Sequence, residues 1–496
     1  MFESDKEIAG RHYPLPQIPD DRRNIDNFLE RNRGKKVVVV QGLGFVGAVM
    51  SLVVANAISE EYAVIGVDLP KKDTYWKIKS INDGIFPVIS TDKKVEEYYN
   101  AARAKGNLFA TFDPYAYKVA DVVIVDINLD VAKTSSEDYS LENYDVSTDA
   151  FRKAIETIAT NCRPNILVLV ETTVPPGTCE KIVKPVFDEM LKKRRVANEV
   201  KIGHSYERVM PGPGYVDSIQ NFYRVYSGID EKSANATEQF LRTIIYTDKF
   251  RLTRLHSTTA SEMSKVLENS FRAMNIAFMQ EWTAFSEEAG VNLYEILDAI
   301  RMRPTHKNIM SPGLGVGGYC LPKDPLLASW ARQRMFNGAG PLSQSVAAVS
   351  INDRMPIHTF QLIRNKLGGS LKGKRVAFLG VSYLSNVGDT RYAPAEVLYD
   401  LLLEAGAEVQ FNDAYVPIWS EKNLASQSLN QLVVFSPQVV VFCTRHDYFR
   451  SDEVLEQLID NSKDLFVFDA VGFLNKQEID RFNKQCKLSI VGRGDI

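Results

Sequence analysis

The chain has 496 residues, 45% of them apolar and 24% charged, with a formal net charge of -3. That length allows about three domains, each able to bury a core, and the composition excludes a disordered or fibrous chain. The near-balanced charge excludes a general pull toward polyanions, so nucleic acid is not an expected partner.

Residues 1–34 read as an N-terminal arm: Gly10, Pro14, Pro16 and Pro19 suit an extended segment, and the charged stretch Asp20 to Arg33 suits a short polar helix. From Lys35 the pattern changes. The run KKVVVV predicts a buried strand, QGLGFVG a glycine turn, and AVMSLVVANAI a helix. Further strands are predicted at AVIGVD, ending at Asp68, at 120–127 and at 165–171, each after a helical segment, so 35–256 reads as a doubly wound parallel-sheet domain. Between residues 257 and 367 long helical patterns replace the strands. A second series, GKRVAFLG, AEVQFND, QVVVFCT and LFVFDA, then predicts another α/β domain over 368–496. The expected fold class is α/β, two Rossmann-like domains joined by a helical middle section. No apolar run is long enough to cross a bilayer, and Met1 to Gly10 has no apolar signal core. A cytoplasmic protein with no membrane partner is expected. The five cysteines, at 162, 179, 320, 443 and 486, form no CxxC pair, which argues against disulfides and a thiolate metal site.

In Gly42-Leu43-Gly44-Phe45-Val46-Gly47 the glycines fall where a strand must turn sharply into a helix, so that backbone N–H groups and the helix N-terminus can approach a pyrophosphate. About twenty residues on, Asp68 ends the next strand, the position that accepts a ribose hydroxyl. Together they point to NAD, and the carboxylate disfavours the 2′-phosphate of NADP, although Lys71 and Lys72 stand close by in sequence.

Over Ser261 to Ala289 the residues Met263, Leu267, Phe271, Met274, Phe278, Trp282 and Phe285 repeat at helical spacing and read as a core stripe, with Lys265, Asn269 and Arg272 opposite. Downstream, Gly313-Leu314-Gly315-Val316-Gly317-Gly318-Tyr319-Cys320-Leu321-Pro322-Lys323-Asp324-Pro325 sets a cysteine on backbone able to approach a ligand, with Asp324 four residues away. A thiol alone is most often inert; beside an NAD motif it reads as a nucleophile.

These segments resemble the UDP-glucose/GDP-mannose dehydrogenase family from about Lys35 to the C-terminus. The resemblance is carried by the glycine turn, by Glu171-Thr172-Thr173-Val174-Pro175-Pro176-Gly177-Thr178, by Lys265-Val266-Leu267-Glu268-Asn269 and by the GVGGYCLPKDP loop. Tyr206-Glu207-Arg208 and Gly388-Asp389-Thr390-Arg391 resemble two further family signatures. The resemblance implies a four-electron oxidation of a nucleotide-sugar C6 alcohol to the acid, with two NAD consumed per sugar. It implies Cys320 as covalent nucleophile, Lys265 as the cation for thiolate and oxyanions, a water held by Asn269 and Asp324, Thr173 positioning water, and Glu207 as base. It also implies cofactor contacts at Gly42, Gly44, Phe45, Val46, Gly47, Asp68 and Thr173. Sugar-nucleotide contacts are implied at Glu207, Arg208, Lys265, Asn269, Gly317, Arg391 and Arg303, or Arg301 in its place. A homodimer or higher homo-oligomer is expected through the helical middle section.

Four positions depart from the family pattern. Tyr206 stands where proline is usual, and Pro211 replaces a second acidic residue, which tilts the substrate from a UDP-hexose toward a UDP-N-acetylhexosamine. Leu384 replaces a lysine, and Phe468-Asp469-Ala470-Val471 lacks an Arg-Asn pair. Two other readings stay open on these residues: a two-electron hydroxyacid-type dehydrogenase without the cysteine step, and a non-catalytic NAD-binding regulatory protein.

Overall fold

The computed structural model describes residues 3–8, 11–72, 74–88, 90–209, 212–460 and 465–496. It forms two compact units. The first comprises Met1–Val131, Val146–Val266 and Trp330–Ala339; the second comprises Ala132–Asp145, Leu267–Ser329 and Gly340–Ile496.

In the first unit the β-branched run becomes strand β1 (Lys36–Gln41), fully buried from Val38 to Val40. An unbroken apolar run is what a strand covered on both faces requires. The sheet is completed by β2 (Tyr62–Val67), β3 (Leu108–Thr111), β4 (Val122–Val125), β5 (Leu167–Val170), β6 (Lys201–His204), β7 (Arg224–Gly228) and β8 (Leu252–Arg254), in the spatial order β3-β2-β1-β4-β5-β6-β7-β8. The first six follow the doubly wound dinucleotide-binding order, and the winding reverses between β1 and β4, where a crevice opens at the carboxyl edge. The polar helix expected after the arm is Arg22–Arg31; Ile25 and Phe28 are buried, and Phe28 stacks on Phe109 of β3 at 5.6 Å. Ahead of it, Glu3–Ile8 pairs antiparallel with Arg11–Pro14, a hairpin where the sequence suggested only an extended arm.

One reversal departs from the wholly parallel sheet expected. Strand β7 runs antiparallel to β6, with Gly203 opposite Gly228 and His204 opposite Ser227. Among the described residues the link between them holds only the short helix Tyr215–Gln220, whereas the parallel pairs are joined by longer crossovers. The reversal has a chemical consequence. Strand β7 starts at the edge where the parallel strands end, and its first residue, Arg224, meets Glu171 just past β5. Both side chains are at most 2% exposed, and Arg224 Nε also donates to Ser205 Oγ at 3.1 Å.

In the second unit β9 (Arg375–Leu379), β10 (Glu408–Asn412), β11 (Val439–Phe442), β12 (Phe466–Asp469) and β13 (Lys487–Ile490) form an all-parallel sheet in the order β10-β9-β11-β12-β13. Its turn echoes that of the first unit. Gly380 has φ +84° and donates to Asn412 O at 2.8 Å, as Gly42, with φ +97°, donates to Val67 O at 2.8 Å.

The middle section is helical as expected, with α2 (Thr258–Glu288), α3 (Leu293–Arg301), α4 (Asp324–Arg334) and α5 (Ser343–Lys366) following α1 (Phe45–Ala55) in chain order. The expected core stripe of α2 faces outward. Met263, Leu267, Phe271, Phe278, Trp282 and Phe285 are 45–65% exposed. The buried side is instead mostly small or polar: Ser261, Glu262, Lys265, Ser270, Ala273, Ala277, Thr283 and Ser286, with Val266 and Met279 among them. Small side chains let neighbouring backbone come close, as where Asn352 Nδ2 donates to Ala273 O at 3.0 Å. Periodicity identifies a face; it does not say which surface covers it.

Two stability predictions follow from these packings. Arg224→Met leaves Glu171 buried without its cation, so unfolding free energy should fall by about 3–5 kcal/mol. Burial raises Glu171 from 4.5 to about 7, against the opposing pull of Arg224. The folded chain thus holds this proton more tightly than the unfolded chain does. That contribution is full below the unfolded value and lost as pH rises through the folded one, and the variant should steepen the decline. Denaturant midpoints across this range measure it; an unchanged midpoint would mean that the pair satisfies nothing. Gly47→Ala would set a Cβ 1.9 Å from Gly42 O. A loss of about 1–3 kcal/mol is expected in thermal unfolding, and wild-type melting would show that the turn yields freely.

Candidate active site

In the first unit the glycine turn is shaped by contact. A Cβ on Gly42 would lie 2.1 Å from Asp126 O, while around Gly44 nothing approaches within 4 Å, leaving backbone open to a ligand. Phe45 is 38% exposed, Val46 is half-buried and Gly47 is buried under the turn. Asp68 Oδ2 accepts the Leu43 N–H at 3.0 Å and Oδ1 the Leu69 N–H at 2.8 Å, so the carboxylate stands at the rim of the turn. Lys77 Nζ lies 3.8 Å from Asp68 Oδ2, a cation that sequence spacing did not single out. An open glycine backbone beside a fixed carboxylate fits NAD.

Thr173 is half-buried in the loop after β5. That loop is clamped by Glu262 of α2, whose carboxylate accepts the N–H groups of Gly177 at 2.6 Å and Cys179 at 2.8 Å. Nothing near Glu262 in the sequence signals this role, because its partners lie more than eighty residues away. Lys265, one turn on, is 8% exposed; its Nζ donates to Glu207 O at 3.0 Å and stands 3.8 Å from Glu207 Oε1. Glu207 Oε2 accepts the Val209 N–H. The departure at Tyr206 has a physical use: the buried ring lies 5.4 Å from Lys265 Nζ and 5.6 Å from the Arg208 guanidinium, within cation–π range of both. Met210 and Pro211 lie outside the described residues.

In the second unit the loop before Cys320 is packed against Tyr383. A Cβ on Gly317 would lie 2.4 Å from Tyr383 Cβ, and one on Gly318, with φ +81°, 2.6 Å from its ring. Gly318 N–H donates to Arg391 O at 2.9 Å. Cys320 is half-buried, and its carbonyl accepts the N–H groups of Lys323 and Asp324, turning the chain into α4. The fully buried Asp324 accepts Asn269 Nδ2 at 2.6 Å and Lys323 Nζ at 2.9 Å. Arg391, bonded to Asp389 through Nε and Nη2, is close enough to Cys320 to interact electrostatically. Arg301 is engaged by Asp298, Ile309 O and Ser311, whereas Arg303 is exposed. Leu384 is 40% exposed, and Asp469 is buried, accepting the N–H groups of Val471, Phe473 and Leu474. Asp413, the counterpart of Asp68, is likewise occupied, by Val381 N–H and His446.

The chain matches the UDP-glucose/GDP-mannose dehydrogenase family in three successive domains: the NAD binding domain over residues 35–245, the central domain over 259–353 and the UDP binding domain over 377–476. It is 30% identical to a UDP-N-acetyl-D-mannosamine dehydrogenase of Methanocaldococcus jannaschii, over 94% of this chain and 99% of that one. A Pyrococcus horikoshii protein of the same name is 29% identical over 92% of this chain and 100% of its own length. Among solved structures, the UDP-D-ManNAc dehydrogenase of Pyrococcus horikoshii superimposes with a TM-score of 0.76 at 28% identity, covering 93% of this chain and all of that one. An NDP-N-acetyl-D-galactosaminuronic acid dehydrogenase of Methanosarcina mazei Go1 gives 0.74 at 25% identity, over 95% and 98%. With the cradle for a dinucleotide in place and the likeness running the length of both chains, this protein belongs to the UDP-glucose/GDP-mannose dehydrogenase family and is an NAD-dependent nucleotide-sugar dehydrogenase.

Proposed function

We propose that the chain oxidises the C6 alcohol of a UDP-N-acetylhexosamine to the uronic acid through a thioester on Cys320. The observation that carries the reading is the turn at Cys320, whose carbonyl starts α4 while the first residue of that helix, Asp324, grips Asn269. A cysteine on a glycine loop, fixed next to the buried Asp324 and its partner Asn269, has the rigid surroundings that a covalent step needs. UDP-N-acetyl-D-mannosamine is the first substrate to test, because curated relatives bear that name and Pro211 stands where an acidic residue marks the UDP-hexose branch.

NAD supplies the hydride acceptor; with two consumed per sugar and one water added, the alcohol becomes a carboxylate and three protons are released. The chain's residues do the rest. The water held by Asn269 and Asp324 takes the alcohol proton, and the Lys265 ammonium steadies the oxyanion. The Cys320 thiolate adds to the aldehyde carbon, which keeps the intermediate bound, and later leaves when water attacks the thioester carbonyl. Glu207 takes the proton of that water, and Thr173 with Asp324 orients it. Arg208, Gly317, Arg303 and Arg391 hold the nucleotide sugar, while Gly42, Gly44, Phe45, Val46, Gly47 and Asp68 hold the cofactor. Both reactants are charged metabolites of the cytoplasm, where we place the enzyme; among the described residues no helix is long and apolar enough to cross a membrane.

We further assign the helical section 257–367 to self-association. The row from Met263 to Phe285 presents six large apolar side chains on one exposed helix face, and a second copy of the same helix would cover it symmetrically.

Three measurements check these assignments. NADH yield over a panel of UDP-sugars should reach two per sugar with the preferred acetamido sugar; a yield of one would favour the two-electron reading, and no turnover on any would favour a regulatory protein. Cys320→Ser should bind NAD normally and release no acid, and full acid production by it would end the covalent proposal. For assembly, Phe271→Glu should convert a dimer to a monomer in sedimentation; a wild-type monomer, or a variant of unchanged mass, would refute the interface.

A further inference from the structure

The carboxyl edge of the first unit holds an acidic residue that the mechanism does not use. Asp126 follows β4 directly, at the point where the winding reverses. Its carbonyl oxygen lies under Gly42, and its Cβ lies 3.1 Å from where a Gly47 Cβ would stand, so it forms the floor of the glycine turn. Val125 pairs with Val170 in the β4–β5 ladder. Asp126 and Glu171 are therefore the next neighbours across it, with the Glu171 N–H donating to Val125 O at 3.1 Å.

Each of the two carboxyls has one oxygen, Asp126 Oδ2 and Glu171 Oε2, that is shut off from solvent and has no hydrogen-bond partner. The residues acting electrically on Asp126 are Glu171, Glu207 and Arg224. The glycine turn and the start of α1, residues 42–48, contribute no titratable side chain. One guanidinium, already bonded to Glu171, cannot neutralise both neighbours. A carboxylate oxygen shut off from solvent with neither cation nor donor is costly when its group is ionised, and one proton retained over the two neighbouring carboxyls lowers that cost.

We propose that Asp126 and Glu171 share a proton as a charge-balancing pair beneath the glycine turn, so that the crevice floor is neutral where the cofactor's doubly anionic pyrophosphate approaches. Burial, followed by the charges of Glu171 and Glu207, drives Asp126 well above the ordinary aspartate range, in keeping with a retained proton. Asp126 is then a positioning residue: it acts on the cofactor through charge and through the turn it supports. The proposal rests on NAD use and is independent of the cysteine chemistry.

The experiment is calorimetric titration of the full-length enzyme with NAD, without sugar, from about pH 6.5 to about 9.5. In the wild type, loss of the shared proton adds a negative charge under the turn, and the dissociation constant should rise by roughly tenfold across the series. Asp126→Asn keeps the shape of the neutral acid and cannot ionise, so only Glu171, beside its cation Arg224, still titrates, and the loss of affinity at high pH should shrink severalfold. Asp126→Ala leaves Glu171 paired with Arg224 alone and should show the same reduced dependence, with a lower melting temperature. A wild type of constant affinity, or an Asp126→Asn protein that loses affinity in parallel with it, would overturn the proposal.

Discussion

Acidic residues stand at or just past the carboxyl ends of four strands of the eight-stranded sheet, and keeping that edge electrically tolerable shapes the first unit. Each is satisfied differently. Asp68 is held by two backbone N–H groups with Lys77 nearby. Glu207 takes the Val209 N–H with Lys265 beside it. Glu171 has Arg224, delivered by β7, the first of the two strands that run backward, since an antiparallel strand begins where its neighbours end. Asp126 faces like charges and a guanidinium already spoken for.

That distribution explains how one edge can receive both an anionic cofactor and reacting groups. Open glycine backbone offers N–H groups to a pyrophosphate, while negative charge is tied down or neutralised around it. The second unit reuses the same frame for a different end. Gly380 and Asp413 repeat the turn and the strand-end carboxylate, yet Asp413 is engaged by His446 and the Val381 N–H, so the ribose-accepting position is occupied by the chain itself.

Much of this was legible in the residues. The β-branched run before Gly42, the spacing to Asp68, and the cysteine loop each state a local requirement, because a sharp turn, a strand end and a close backbone approach are satisfied by residue type alone. The stripe on α2 was legible only in part. Its period marks seven residues as one face, but the small residues opposite proved to be the packing side and the large ones remained outside. Glu262, Arg224 and Asp126 gave no signal, since their partners lie tens of residues away.

The sequence by itself determined the fold class, the first glycine turn and the NAD preference, since each rests on short-range geometry written into neighbouring residues. Only the tertiary structure decided the reversal of β7, the outward face of α2 and the company each buried carboxyl keeps. Those depend on which distant strands become neighbours, and burial energies are set by that neighbourhood: the same acid is a rim ligand at Asp68, an ion-pair partner at Glu171 and a group short of a partner at Asp126.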